Sequence, residues 1–248
     1  MNLTPEQSVR DVLSEYPAAA EVFEQFNIDY WCRGNRALGD ALSEHGVSLH
    51  AFIGKVDQIA DFRKGHLTSP DWRVVSLRKL IRHIVDTHHA YLRMELPALH
   101  KWITTISTHH PGETELMLGL QGAIQRFQRN LEVQMSKEEA VLFPAISNLE
   151  IVVLPCVPPS GPPFGSVANL ARVMEEESSG ALGVLREIRV LTKSFASPPE
   201  ASVPLKTLFG RLRVLEADSH QHLHLENNIL FPRAISLETI SLEKGHTT

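Results

Sequence analysis

Along residues 72–240 apolar side chains recur at spacings of three and four, which places them on one face of a helix. The pattern predicts four long helices. The first covers about 75–108 and carries Leu77, Leu80, Ile81, Ile84, Val85, Leu92, Leu96 and Leu99 on its apolar face. The second covers about 114–148, with Leu120, Ile124, Phe127, Leu131, Val141 and Leu142. The third, about 166–195, uses Leu170, Met174, Ala181, Leu185 and Ile188; the fourth, about 203–237, uses Leu208, Leu212, Leu215, Ile229 and Leu230. No stretch alternates as a strand does. Four such helices predict an all-α fold built around an up-down-up-down four-helix bundle over 72–240. The connection 151–165 holds five prolines, which predicts a stiff loop between the second and third helices.

Residues 1–65 read differently, as short helices with frequent breaks, and form a small N-terminal helical domain. Thr4-Pro5 followed by Gln7 has the form of a helix start with a capping box. Pro17 opens a second short helix whose apolar face is Val22, Phe23 and Phe26. A third begins at Gly34 or Asn35, and Ser48 caps a fourth. Residues 63–71 read as a linker.

Polar residues interrupt two of the long stripes. In the second helix Gln134 and Glu138 stand where leucines are expected, and in the fourth His222 and Glu226 do, one turn apart. The surrounding sequences, QMSKEEAVLFP and HLHLENNILFP, end alike. A carboxylate in a bundle core costs several kcal/mol unless it is paired or bound to a metal. A shared metal ion compensates both carboxylates; a buried polar network, or a bundle turned so that these residues face water, does so without one. In the first helix an ideal wheel puts His88 near the centre of the apolar face and His89 at its edge, with His83 peripheral. His45, His50, His66, His100, His220 and His246 read as surface residues.

Composition narrows the function classes. The chain has 248 residues, a net charge of −5 and 13 histidines. The negative balance argues against nucleic-acid binding, which needs a basic face. Two cysteines, Cys32 and Cys156, cannot make a disulfide framework, and a reducing compartment is expected. The N-terminus is unlike a signal peptide and no apolar run approaches membrane-spanning length, so a cytoplasmic protein with no membrane partner is expected. No phosphate loop, nucleophile elbow or CxxC pair points to classical catalysis. Histidines with few cysteines favour a metal site of nitrogen and oxygen donors. Cys32 precedes a helix start beside Arg33 and Arg36, which favour its thiolate; a reactive thiol and a passive one are both open.

The segments VRDVLSEYPAAAEVFEQFNIDYWCRG, HHAYLRMELPAL, QMSKEEAVLFP, ARVMEEESS and HQHLHLENNILFPRA together resemble the iron–sulfur cluster repair di-iron proteins, the RIC family, over residues 8–236. These join a ScdA-type N-terminal domain to a hemerythrin-like four-helix bundle. The resemblance implies non-haem iron, nominally two ions. It implies ligands at His89, Glu138, His222 and Glu226. Here Arg93 and Leu96-Pro97 set the register that selects His89 over His88. Two further family histidines fall on Gln134 and Ser178, and Trp31 stands in place of the first of a usual cysteine pair. His88 and Glu177 are nearby substitutes for the missing donors, and Cys32 is the remaining thiol. The implied role is protection or repair of iron–sulfur clusters after nitric oxide or oxidative damage, with damaged iron–sulfur proteins as clients and a homodimer as one admissible assembly. Against it stand a bundle that has lost its metal and serves as a regulatory or interaction module, and a hemerythrin-like oxygen or redox sensor.

Overall fold

The computed structural model describes residues 3–16, 18–26, 28, 30, 34–64, 70–109, 111–152 and 166–245. They form two compact units, one of Met1–Ser76 with Leu223–Arg233, the other of Leu77–His222 with Ala234–Thr248. Among the described residues the only strand-like pairing is an isolated bridge between Ser8 and Ala37.

The first unit contains α1 (Val9–Glu15), α2 (Ala19–Gln25), α3 (Leu38–Ser43) and α4 (Leu49–Lys64). Two expected helix starts are displaced, for one reason. Residues 7–10 and 34–38 pair through their backbones: Val9 N–H donates to Arg36 O, Arg10 N–H to Gly34 O and Leu38 N–H to Gln7 O. The Gln7 side chain does accept the Thr4 N–H, but the chain turns there, and α1 starts only where Ser8 accepts the Asp11 N–H. The same pairing keeps 34–37 out of a helix, so α3 begins at Leu38. Ser48 caps α4 as expected. Pro17 lies outside the described residues. Val22 and Phe23 are fully buried, and the Phe23 ring packs on Tyr30 at 5.7 Å and Phe52 at 4.8 Å. Within this unit α1 packs on Leu225–Leu230, and Arg233 donates to the carbonyls of Trp72 and Val75.

The second unit is the bundle: α5 (77–109), α6 (114–152), α7 (Val167–Leu191) and α8 (203–245), the last also supplying 223–233 to the first unit. Most stripe leucines and isoleucines form its core: Leu80, Ile84, Leu92, Leu99, Leu120, Ile124, Leu208 and Leu215 are all fully buried, whereas Ile81 and Leu170, expected there, are half-exposed. Two carboxylates cap helix starts from across the bundle. Glu150 accepts the N–H groups of Leu77 and Arg78, and Glu238 those of Val167 and Ala168. α6 continues to Val152, past the expected end at 148, and residues 153–165, with Cys156, lie outside the described ones. α7 stops at Leu191 rather than 195. Lys193, Ser194 and Phe195 take left-handed angles (φ 49°, 59° and 59°), and Ser194 N–H returns to Arg189 O.

Three of the four bundle helices are not regular throughout. Each contains one wide π-helical turn: Ile84–His89 in α5, Glu138–Leu142 in α6 and Leu225–Leu230 in α8. α7 has none. Among the described residues no helix is long and apolar enough to cross a membrane.

Candidate metal centre

The three wide turns bear directly on where the polar stripe residues point. A π turn holds more residues per revolution than an α turn, so it shifts the phase of everything beyond it. An ideal wheel therefore errs by the end of Ile84–His89. His89, at the end of that turn and expected at the edge of the apolar face, is fully buried. In α6 and α8 the wide turns begin at or just before the carboxylates, at Glu138 and Leu225.

The result is one compact cluster. One ligand atom each of His89, Glu138, His222 and Glu226 can be chosen so that all lie within 4.8 Å of one another, and all four residues are buried. The His89 Nε2 atom is 3.1 Å from His222 Nε2 and 3.5 Å from Glu138 Oε2. The other side of the His89 ring sets its tautomer. Its Nδ1 lies 2.6 Å from Glu139 Oε1, and since an ionised carboxylate only accepts, Nδ1–H donates there and Nε2 turns its lone pair to the pocket. Arg93 holds the same Glu139 oxygen at 2.9 Å. Partial burial raises the Glu139 carboxyl, but the hydrogen bonds from His89 and Arg93 together outweigh it and hold it below the usual carboxylate range.

The remaining sequence candidates fall elsewhere. His88 is buried and stacks flat on His222, ring centres 5.7 Å apart, but its Nδ1 meets Asp218 Oδ1 at 2.9 Å and it is not one of the four clustered donors. Glu177 pairs with Lys137 at the bundle surface. Gln134 and Ser178 are buried; Gln134 bonds to Glu138 and to Ser178. The Gln134 amide donates to Glu138 Oε1 at 2.8 Å and to Ser178 Oγ at 3.0 Å, and the Ser178 hydroxyl donates to Met174 O. Trp31 and Cys32 lie outside the described residues.

His220, expected at the surface, is instead buried. Its ring is driven down to a pKa of about 3, first by burial and then by Arg189 and Arg186, so it stays neutral. His224, which the stripe pattern did not single out, is buried with its pKa lowered to about 4 by burial alone; its Nδ1 faces the Asn228 amide. The sequence reading also missed Glu139 and Asp218, whose partners are 50 and 130 residues away. The paired Glu138-Glu139 was a usable signal: on a helix, neighbours point apart, so one inward carboxylate leaves the other at the rim.

The donor set fits a first-row transition metal. Two imidazoles and two carboxylates suit iron, manganese or zinc. A divalent cation held between the two carboxylates would offset the cost of burying both.

Residues 80–234 match the family model for the hemerythrin HHE cation binding domain, and residues 5–60 match ScdA_N, a domain of unknown function. Proteins named iron–sulfur cluster repair protein YtfE from Salmonella typhimurium, Salmonella paratyphi B and Salmonella newport are each 29% identical to this chain over 233 residues. That span is 94% of this chain and 98% of each relative. With its four-helix bundle and its buried histidine–carboxylate cluster, the chain belongs to the hemerythrin HHE cation-binding family and carries a ScdA_N domain ahead of that match.

Proposed function

We propose that the protein is a non-haem iron protein of the iron–sulfur cluster repair type, which binds iron through His89, Glu138, His222 and Glu226. It acts on iron–sulfur proteins damaged by nitric oxide or oxidants, by donating iron or by taking up nitric oxide at ferrous iron. The observation that carries this reading is the convergence of four buried donors from three helices within 4.8 Å. The full-length likeness to repair proteins supports the client class. Ferrous iron, when bound there, would supply a transferable ion and a binding partner for nitric oxide. The protein's own groups do the rest: Glu139 and Arg93 fix the His89 ring, the Gln134 amide fixes the Glu138 carboxylate, and burial keeps bulk water out.

The metal-free module is not favoured, because it leaves Glu138 and Glu226, both fully buried, crowded together with no cation between them. The test is transfer. Ferrous-loaded protein is mixed, without oxygen, with a 4Fe–4S enzyme whose cluster nitric oxide has damaged. The client's cluster absorbance and activity should recover faster than with an equal amount of free ferrous iron. Recovery no faster than with free iron rejects the repair reading.

A further inference from the structure

We propose that this pocket takes a single divalent transition-metal ion, and that Gln134 and Ser178 close the place where a second would sit. The inference rests on the iron-binding reading above and fixes what that site can hold.

Three observations carry it. The first is the number of donors. Two-metal centres in four-helix bundles of the carboxylate type draw on about six side chains spread over all four helices. Here the cluster has His89 from α5, Glu138 from α6, and His222 and Glu226 from α8, and α7 contributes none. Two histidines with carboxylates make a complete set for one ion, with positions left open.

The second is the state of Glu138. A bridging carboxylate offers one oxygen to each of two metals. In this pocket the two oxygens are divided otherwise. Oε2 is on the His89 side, 3.5 Å from Nε2, whereas Oε1 accepts the Gln134 amide at 2.8 Å. A neutral N–H therefore occupies the direction a second cation would need.

The third is the network behind that bond. The Gln134 amide has two hydrogens, and Glu138 Oε1 and Ser178 Oγ take both. The Ser178 hydroxyl hydrogen goes to Met174 O within α7. Both residues are buried, at 2% and 1% exposure; the Gln134 amide turns its hydrogens toward Glu138 and Ser178, and the Ser178 hydroxyl is used up between that amide and Met174 O. This is a closed hydrogen-bonded plug, and α7, which carries Ser178, is the one bundle helix with no wide turn. Glu138 is therefore a terminal ligand of one ion.

The experiment is metal stoichiometry on the full chain, loaded with ferrous iron without oxygen, desalted and analysed for iron. The unmodified chain should hold about one iron. The Gln134→His/Ser178→His variant, which replaces the plug with two imidazoles, should hold about two. About two irons in the unmodified chain overturns the proposal while leaving the iron reading intact. One iron in both proteins overturns the assignment of the block to Gln134 and Ser178. No iron in the unmodified chain overturns the iron reading itself. Circular dichroism checks that the variant folds. Should it not, the unmodified chain loaded with manganese(II) decides by its paramagnetic resonance spectrum: the hyperfine pattern of an isolated ion supports the proposal, and that of a coupled pair overturns it.

Discussion

The two sides of Glu138 solve the same problem in different ways. On one side stand His89, His222 and Glu226; on the other stand Gln134 and Ser178. Both sides are equally buried. On the first, charged and basic groups crowd together and call for a cation. On the second, neutral groups complete one another with hydrogen bonds and call for nothing. The backbone follows the same division. The helices that bring the clustered donors each contain a π-helical turn next to them, and α7, which brings only Ser178, is regular. A polar residue on an apolar stripe thus says that something compensates it, and the neighbouring residues decide whether that is a metal or a network.

That division can be broken from either side. The largest effect is expected on the donor side. His222→Ala removes one of the four clustered donors, and the protein should lose its iron completely to a chelator that leaves the unmodified chain loaded; retention of iron would show that His222 is not a ligand. Next comes the orienting group. Glu139→Ala leaves all four donors in place but frees the His89 ring, and metal affinity should fall about 10–100-fold with stoichiometry unchanged. Titration calorimetry under anaerobic conditions measures both.

On the network side the effects should fall on stability rather than on the number of irons bound. Gln134→Leu takes the donor from Glu138 and Ser178 and should destabilise the metal-free protein by about 1–3 kcal/mol. Iron content should stay as it was, and chemical denaturation beside iron analysis separates the two. Ser178→Ala removes a single neutral partner from the amide and should cost about 0.5–1.5 kcal/mol with no change in iron. An appreciable loss of iron in Ser178→Ala would place the hydroxyl on the metal and remove the distinction between the two sides.

Much of this was legible in the sequence because helical periodicity is a strong signal over long helices. The stripes located the bundle core, and the interruptions at Gln134, Glu138, His222 and Glu226 all proved to be buried. The choice between His88 and His89 was not legible from the wheel, which assumes one fixed turn; the π turn Ile84–His89 breaks that assumption where it matters. His220 was misread for a related reason. It stands two residues before His222, and on a helix that is a different face, yet that face is covered, so its ring is buried near Arg189 and Arg186. The short helices were harder still. Thr4 and Gln7 make their expected bond, but pairing with residues 34–38 outweighs local capping and moves the start of α1 to Val9. A long-range partner such as Asp218 for His88 leaves no local trace.

The most direct measurement is X-ray absorption at the iron edge of the ferrous-loaded chain, which counts imidazoles on the iron and detects a second iron beside it. The account predicts imidazole scattering from two histidines, as the cluster supplies, and no iron–iron scattering. An iron–iron vector, or an iron shell without imidazole, would contradict it.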